Sequence, residues 1–282
     1  MTAVICRTCG VQYAESPAPP DRCIICSDAR QYVGRDGQRW TTLAELVLEG
    51  HRTEIREEEP GLIGIGVDPP IGIGQRSLLV TGPQGNLLWD VPGFVDEAAF
   101  EQVERLGGLV AVSASHPHFY GVIAEWADRF DVPVVLPEAD RHWITRRSRR
   151  LELYGDQFDV AASISLVRCG GHFPGSAVVH WTGAADGAGV LLSGDSVTVV
   201  QDRAWVSFMW SYPNLIPLDE RELDGIELAL QALRFERIYG GWWGRIVAAD
   251  GQGVVLRSVE RYRRAITDTR SLEPGPPGTG SG

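Results

Sequence analysis

Two Cys-x-x-Cys pairs stand close together near the start of the chain, Cys6-Arg-Thr-Cys9 and Cys23-Ile-Ile-Cys26, with 13 residues between them. Each pair fits a tight turn that offers two thiolates to one ion. The intervening APAPPD stretch is long enough to bring the second turn opposite the first. Four thiolates suit tetrahedral Zn(II), and closing such a site supplies most of a small module's folding energy. The alternatives are an iron–tetrathiolate centre, for which the spacing is short, and a redox dithiol pair. Residues 1–39 are therefore expected to form a zinc ribbon with Cys6, Cys9, Cys23 and Cys26 as structural ligands. Such a module also offers a surface for a protein partner.

The remaining 243 of the 282 residues are enough for one large domain with a sizeable core. A net charge of −11 argues against a general nucleic-acid or anionic-membrane surface. All 26 basic residues are Arg, so no step here uses a Lys nucleophile or Schiff base. No apolar run approaches the ~18–20 residues that cross a bilayer. MTAVICRTCG lacks the cationic start and apolar core of a signal peptide, so the expected location is cytoplasmic. In that compartment clustered Cys and His point to metal rather than disulfides.

TTLAELVLEG, with Thr at a plausible N-cap and Leu43, Leu46 and Val47 on one face, predicts a connecting helix within a linker spanning 40–54. Beyond the acidic run Glu57–Pro60, QRSLLV and NLLWD flank TGPQG as a hairpin. Val95, Ala99, Val103 and Leu106, then Val122, Ile123, Trp126 and Phe130, predict two helices. LVAVS, VPVVLP, SISLV, AVVHW and GVLLSGD read as strands. Leu223, Ile226, Leu230 and Leu233 predict a helix, RIYGG a strand, and Val255, Val259, Tyr262 and Ile266 a last helix. This order fits two packed sheets with helices outside, an α+β arrangement over 55–270. The tail 271–282 lacks apolar anchors and is expected to be disordered. Arg141–Arg150 is locally basic and reads as a solvated helix face, with an anionic-substrate patch as the alternative.

Three features end strands. Ser115-His116-Pro117-His118 follows LVAVS, and two His at i and i+2 in an extended turn can face one ion. Gly170-Gly171-His172 follows SISLV, where the Gly pair allows a sharp turn. Ser193-Gly194-Asp195 ends another strand and presents a carboxylate. Three imidazoles and one carboxylate make a site for Zn(II), with Fe(II) or Mn(II) also compatible.

Together these residues resemble the metallo-β-lactamase-fold superfamily across about 55–266. That family carries H-x-H-x-D-H, then a His in a G-G-H-T-P-G-like turn, an Asp in an S-G-D-like turn, and a last His near the C-terminus. The resemblance implies an αββα sandwich, with His116, His118, His172 and Asp195 as metal ligands along one edge. It departs from the family at Tyr120, Gly121 and Gly241-Trp242-Trp243-Gly244, where the family's second-ion Asp and two His are replaced. One ion is therefore expected in the main domain in place of two.

These residues lead to a mononuclear metal-dependent hydrolase of a small molecule, cleaving an ester, thioester, lactone or amide with metal-activated water. Asp195 and Tyr120 are the expected catalytic groups, Tyr120 as an oxyanion donor or simply a ring that fills the vacated space. Within the aromatic run 205–217, Trp210, Tyr212 and Asn214 are expected to face substrate, together with Trp242 and Trp243. Cys169 reads as a buried thiol, and His51, His142 and His180 as non-ligands. The other readings are a mononuclear non-haem iron oxygenase or redox enzyme and a non-catalytic ligand- or partner-binding member of the fold. The oligomeric state stays open.

Overall fold

In the computed structural model of this chain, which describes residues 2–184 and 186–267, period-two alternation of apolar residues builds two sheets face to face. The tail 271–282 lies outside the described residues. In the ribbon, β1 (Ile5–Cys6) pairs with β2 (Trp40–Thr41). Helix α1 (Leu43–Leu48) follows, opened by a capping box in which Thr42 Oγ1 accepts from Glu45 N and the Glu45 carboxylate accepts from Thr42 N. Leu46 is buried, but Val47, expected on the same face, is exposed.

The first sheet runs in chain order: β3 (Arg52–Glu59), β4 (Leu62–Asp68), β5 (Ser77–Val80), β6 (Leu87–Trp89), β7 (Ala111–Ser113), β8 (Val134–Pro137) and β9 (Leu151–Tyr154). It is antiparallel as far as β6 and parallel beyond. The second sheet begins with the antiparallel meander β10 (Gln157–Ala161), β11 (Ile164–Arg168), β12 (Ala177–Trp181) and β13 (Val190–Gly194). The aromatic run then forms two short pairs, β14 (Thr198–Val199) with β15 (Val206–Ser207) and β16 (Met209–Ser211) with β17 (Ile216–Pro217). β18 (Arg237–Gly240) returns parallel to β13, and β19 (Ile246–Val247) closes the edge.

Alternation sorts each strand between layers. Leu78, Val80, Leu87, Trp89 and Val135 meet Leu166, Val179, Trp181 and Leu192 between the sheets. Leu79, Leu88, Val112 and Leu136 face outward, against Ala99 and Val103 of α2 (Glu97–Arg105) and Ile123 and Trp126 of α3 (Ile123–Phe130). Val178, Leu191 and Ile238 face the other way, under Leu223, Ile226 and Leu230 of α4 (Glu220–Leu230) and Val255 and Val259 of α5 (Gly251–Thr267). The result is an αββα sandwich. Ribbon residues Ile5, Val11 and Ile25 belong to the same apolar cluster as α2 and α3, so the ribbon is a continuation of the outer core.

Two expectations need correction. A strand begins at Arg52, inside the segment assigned to the linker. RTEIREEE lacks alternation because β3 is an edge strand held by backbone pairing to β4. Arg141–Arg150 is a 3₁₀ turn over Glu138–Trp143 followed by a loop into β9, and is not a helix face. Arg146 instead bonds Glu125 and Gln12, across the seam with the ribbon. No helix among the described residues is long and apolar enough to cross a membrane.

Candidate metal centre

Two clusters of potential ligands stand out. In the ribbon, Cys6 and Cys26 sulfurs lie 3.6 Å apart and Cys9 and Cys23 sulfurs 3.7 Å apart, all four buried and unbridged. A tetrahedral ion with metal–sulfur bonds near 2.3 Å requires sulfurs about 3.8 Å apart, so the four thiols fit one ion.

The main-domain cluster is built where strands of both sheets end. β7 delivers Ser115, whose N–H donates to Asp90 Oδ1 at 2.7 Å and whose hydroxyl meets His116 Nδ1 at 2.9 Å. That contact occupies Nδ1, leaving His116 Nε2 buried without a hydrogen-bond partner. A one-turn 3₁₀ helix, Pro117–Phe119, then carries His118. Gly170 and Gly171, at φ of 70° and 84°, turn the chain so that His172 enters from the second sheet. Its Nδ1–H donates to the carbonyls of Trp210 (2.9 Å) and Met209 (3.2 Å), and its Nε2 faces His118 Nδ1 at 3.2 Å. Metal-ligating His is held in this way, with the outer nitrogen tied to a carbonyl.

The ligand nitrogens of His116, His118 and His172 lie within 4.8 Å of one another. An ion with metal–nitrogen bonds near 2.0–2.1 Å needs nitrogens about 3.3 Å apart, close to the His118–His172 separation. Burial holds His116 and His118 well below the usual imidazole range and His172 down to about 4, so all three are neutral donors at physiological pH. The orphaned His116 nitrogen and the neutral donor set fit a divalent ion.

Asp195 follows β13, with Oδ2 3.7 Å from His116 Nε2. Thr198 donates to its other oxygen at 3.2 Å, and the Tyr212 hydroxyl donates to its carbonyl at 2.8 Å. Burial pushes its carboxyl up to about 7.

The positions at which the resemblance implied a second ion are closely packed. Gly121 has φ +43°, and a β-carbon there would lie 2.1 Å from Val91 O. Phe119 packs 4.5 Å from His116 and 5.5 Å from Trp242, and a β-carbon on Gly241 would meet its ring at 2.7 Å. Tyr120 lines the seam with Val11, Gln12 and Leu136, and its hydroxyl is buried with no hydrogen-bond partner among the described residues. Of the two roles open to Tyr120, space-filling is the one these surroundings match.

The residues expected to face substrate divide. Tyr212 packs 5.4 Å from His172, and Trp210 supplies the carbonyl that holds it. Asn214 instead donates to the ribbon carbonyls of Ala29 and Gln31. Trp242 donates to Ile73 O behind Phe119. Trp243 packs against Gly64 and Gly66, with the guanidinium carbons of Arg56 and Arg76 4.5 and 5.2 Å from its ring.

Three residues escaped the sequence reading. Asp90, buried and pushed up to about 8, positions Ser115; its signal was an Asp ending a strand of the same sheet. Phe173 packs against all three imidazoles and had no signal beyond adjacency to His172. Arg30, from the ribbon, stands over Phe173 and had none at all.

YmaE of Bacillus subtilis (strain 168), an uncharacterized protein, is 41% identical over 268 residues, 94% of this chain and 97% of YmaE. No family model matches. The fold is that of the metallo-β-lactamases. DIM-1 metallo-β-lactamase, in a structure exposed to ceftazidime, aligns at a TM-score of 0.55 and 13% identity, covering 76% of this chain and 98% of that one. The Cronobacter sakazakii metallo-β-lactamase with a HARLDQ motif aligns at 0.51 and 18% identity, covering 76% and 93%.

Proposed function

The chain belongs to the YmaE family and has the metallo-β-lactamase fold, and from that premise we propose a metal-dependent hydrolase of a small molecule with one ion in its main domain. The observation that carries this reading is His172, whose Nδ1 is committed to two carbonyls while Nε2 faces the His118 ring. His116, His118 and His172 would hold zinc, and the four cysteines a second, structural zinc. Bound to three imidazoles, zinc supplies Lewis acidity and lowers the pKa of a bound water to about 7.

The chain's own groups supply the rest. Asp195 Oδ2 stands beside His116, and a carboxylate at that position is suited to accept a proton from attacking water and pass it to the leaving group. Thr198 donates to that carboxylate, and Tyr212 holds the backbone carbonyl of the same residue. Phe119 and Phe173 pack around the imidazoles and exclude bulk water. With the positions implied for a second ion closely packed, the reading favours acyl-type bonds over phosphodiesters that need a two-metal clamp. The test is turnover of ester, thioester, lactone and amide panels by protein with its main-domain site loaded. Loaded protein that cleaves none of them overturns the reading.

A further inference from the structure

Arg30 belongs to the ribbon, yet it stands at the main-domain centre. Its guanidinium carbon lies 4.2 Å above the Phe173 ring and 5.2 Å from the Trp210 ring. Phe173 in turn packs 5.0 Å from both His118 and His172. The backbone around Arg30 is pinned to the hairpin beside the centre. Ser211 Oγ donates to Arg30 O at 3.0 Å, and Asn214 donates to the flanking carbonyls of Ala29 and Gln31.

The side chain is only partly used. Asp28 Oδ1 accepts from Arg30 N at 2.9 Å and from Nη1 at 3.1 Å. Nε is buried with no hydrogen-bond partner, and among the described residues Nη2 donates to none. Asp140 and Glu222 feel its charge but do not bond it. Nε–H and the adjacent Nη2 form the side of the guanidinium that grips a carboxylate with two parallel bonds. That edge has no hydrogen-bond partner among the described residues, and the guanidinium stands within cation–π distance of two rings, one of which packs on the imidazoles.

We propose that Arg30 is the substrate-carboxylate receptor of this centre, so that the ribbon selects anionic acyl substrates whose scissile carbonyl reaches the three imidazoles. This rests on the hydrolase reading for the word substrate, but the binding preference can be measured without turnover. The ribbon's structural site then has a functional consequence, since its fold carries Arg30 to the centre.

The experiment compares 3-mercaptopropionate with 1-propanethiol by calorimetry on zinc-loaded wild type, Arg30→Met and Arg30→Lys, alongside turnover of a succinyl and a butyryl thioester. Arg30→Met keeps the apolar stem over Phe173. The expected result is about tenfold or tighter binding of the carboxylate thiol to wild type, as a charge-assisted bidentate pair gives. In Arg30→Met that preference disappears, with zinc content and propanethiol affinity unchanged. Arg30→Lys, which keeps the charge without the fork, retains part of it. Equal affinities in wild type, a preference that survives in Arg30→Met, or no binding of the carboxylate thiol each overturns the proposal. Preferential binding without cleavage of either thioester sinks the hydrolase reading and leaves the receptor standing. Cleavage of both thioesters at equal KM does the reverse.

Discussion

Gly194, at the end of β13, presses against Ser115, just past the end of β7: a β-carbon on Gly194 would stand 2.2 Å from the Ser115 hydroxyl oxygen. The contact joins the turn that carries Asp195 in one sheet to the turn that carries His116 in the other. Gly194 also holds φ +51°, a left-handed conformation that costs a non-glycine residue about 1–2 kcal/mol. Gly194→Ala should therefore lower the unfolding midpoint and release the main-domain ion while the ribbon keeps its own. Thermal unfolding with elemental analysis checks this, and a variant with both ions and an unchanged midpoint would refute it.

His116→Ala removes a ligand whose Nε2 has no hydrogen-bond partner among the described residues. The expected metal content falls from two ions per chain to one, with circular dichroism unchanged. Retention of two ions would mean that His116 is not a ligand.

Placing at position 121 the histidine that the resemblance to metallo-β-lactamases implies there should fail. The Gly121 backbone leaves no room for a side chain beside Val91 O and Pro92 O, and its carbonyl accepts from Gln12 N of the ribbon. Gly121→His is expected to destabilise the protein by about 2 kcal/mol or more without a further ion bound. A stable variant holding three ions per chain would show that the second position can still be built.

Asp90 gives a pH signature. Burial raises its carboxyl from the ordinary value of about 3.8 to about 8. A carboxyl raised in the folded state contributes fully below the unfolded value and loses that contribution as pH rises through the folded one. Asp90→Asn tolerates the left-handed backbone (φ 58°) and can still accept from Ser115 N. In chelator-stripped protein the variant should match wild type near pH 4 and exceed it near pH 8, by on the order of 3 kcal/mol. Urea unfolding at both pH values measures the gap, and a gap independent of pH contradicts this assignment.

Trp243, set against Gly64 and Gly66, is a packing residue by its placement. Trp243→Ala should cost about 2–3 kcal/mol of stability, less than a fully buried Trp because the ring is half-buried. KM for any substrate found should be unchanged; a raised KM at wild-type stability would place the ring at the substrate.

The sandwich was legible because alternation and turn chemistry are local. Leu78, Leu79 and Val80 sort between layers by pleat alone. The exception, β3, has charged residues on both faces, and what makes it a strand is a neighbour. The candidate ligands were legible for a similar reason, since i,i+2 spacing and glycine-led turns mark where imidazoles leave strand ends. Tyr120 was ambiguous because its direction depends on the ribbon packed against it.

From the residue order alone came the four-thiol ribbon, the layered fold and three histidines with Asp195 at strand ends. Only the tertiary structure decided which side chains meet. It set Asp90 under Ser115, packed Phe119 against His116 and Trp242, turned Trp243 onto a glycine-lined sheet face and brought Arg30 from the ribbon over Phe173. Spacing encodes local direction through backbone geometry. Contacts between residues 140 or more positions apart, such as Arg30 and Phe173, depend on how separately folded elements pack, and no local pattern records that.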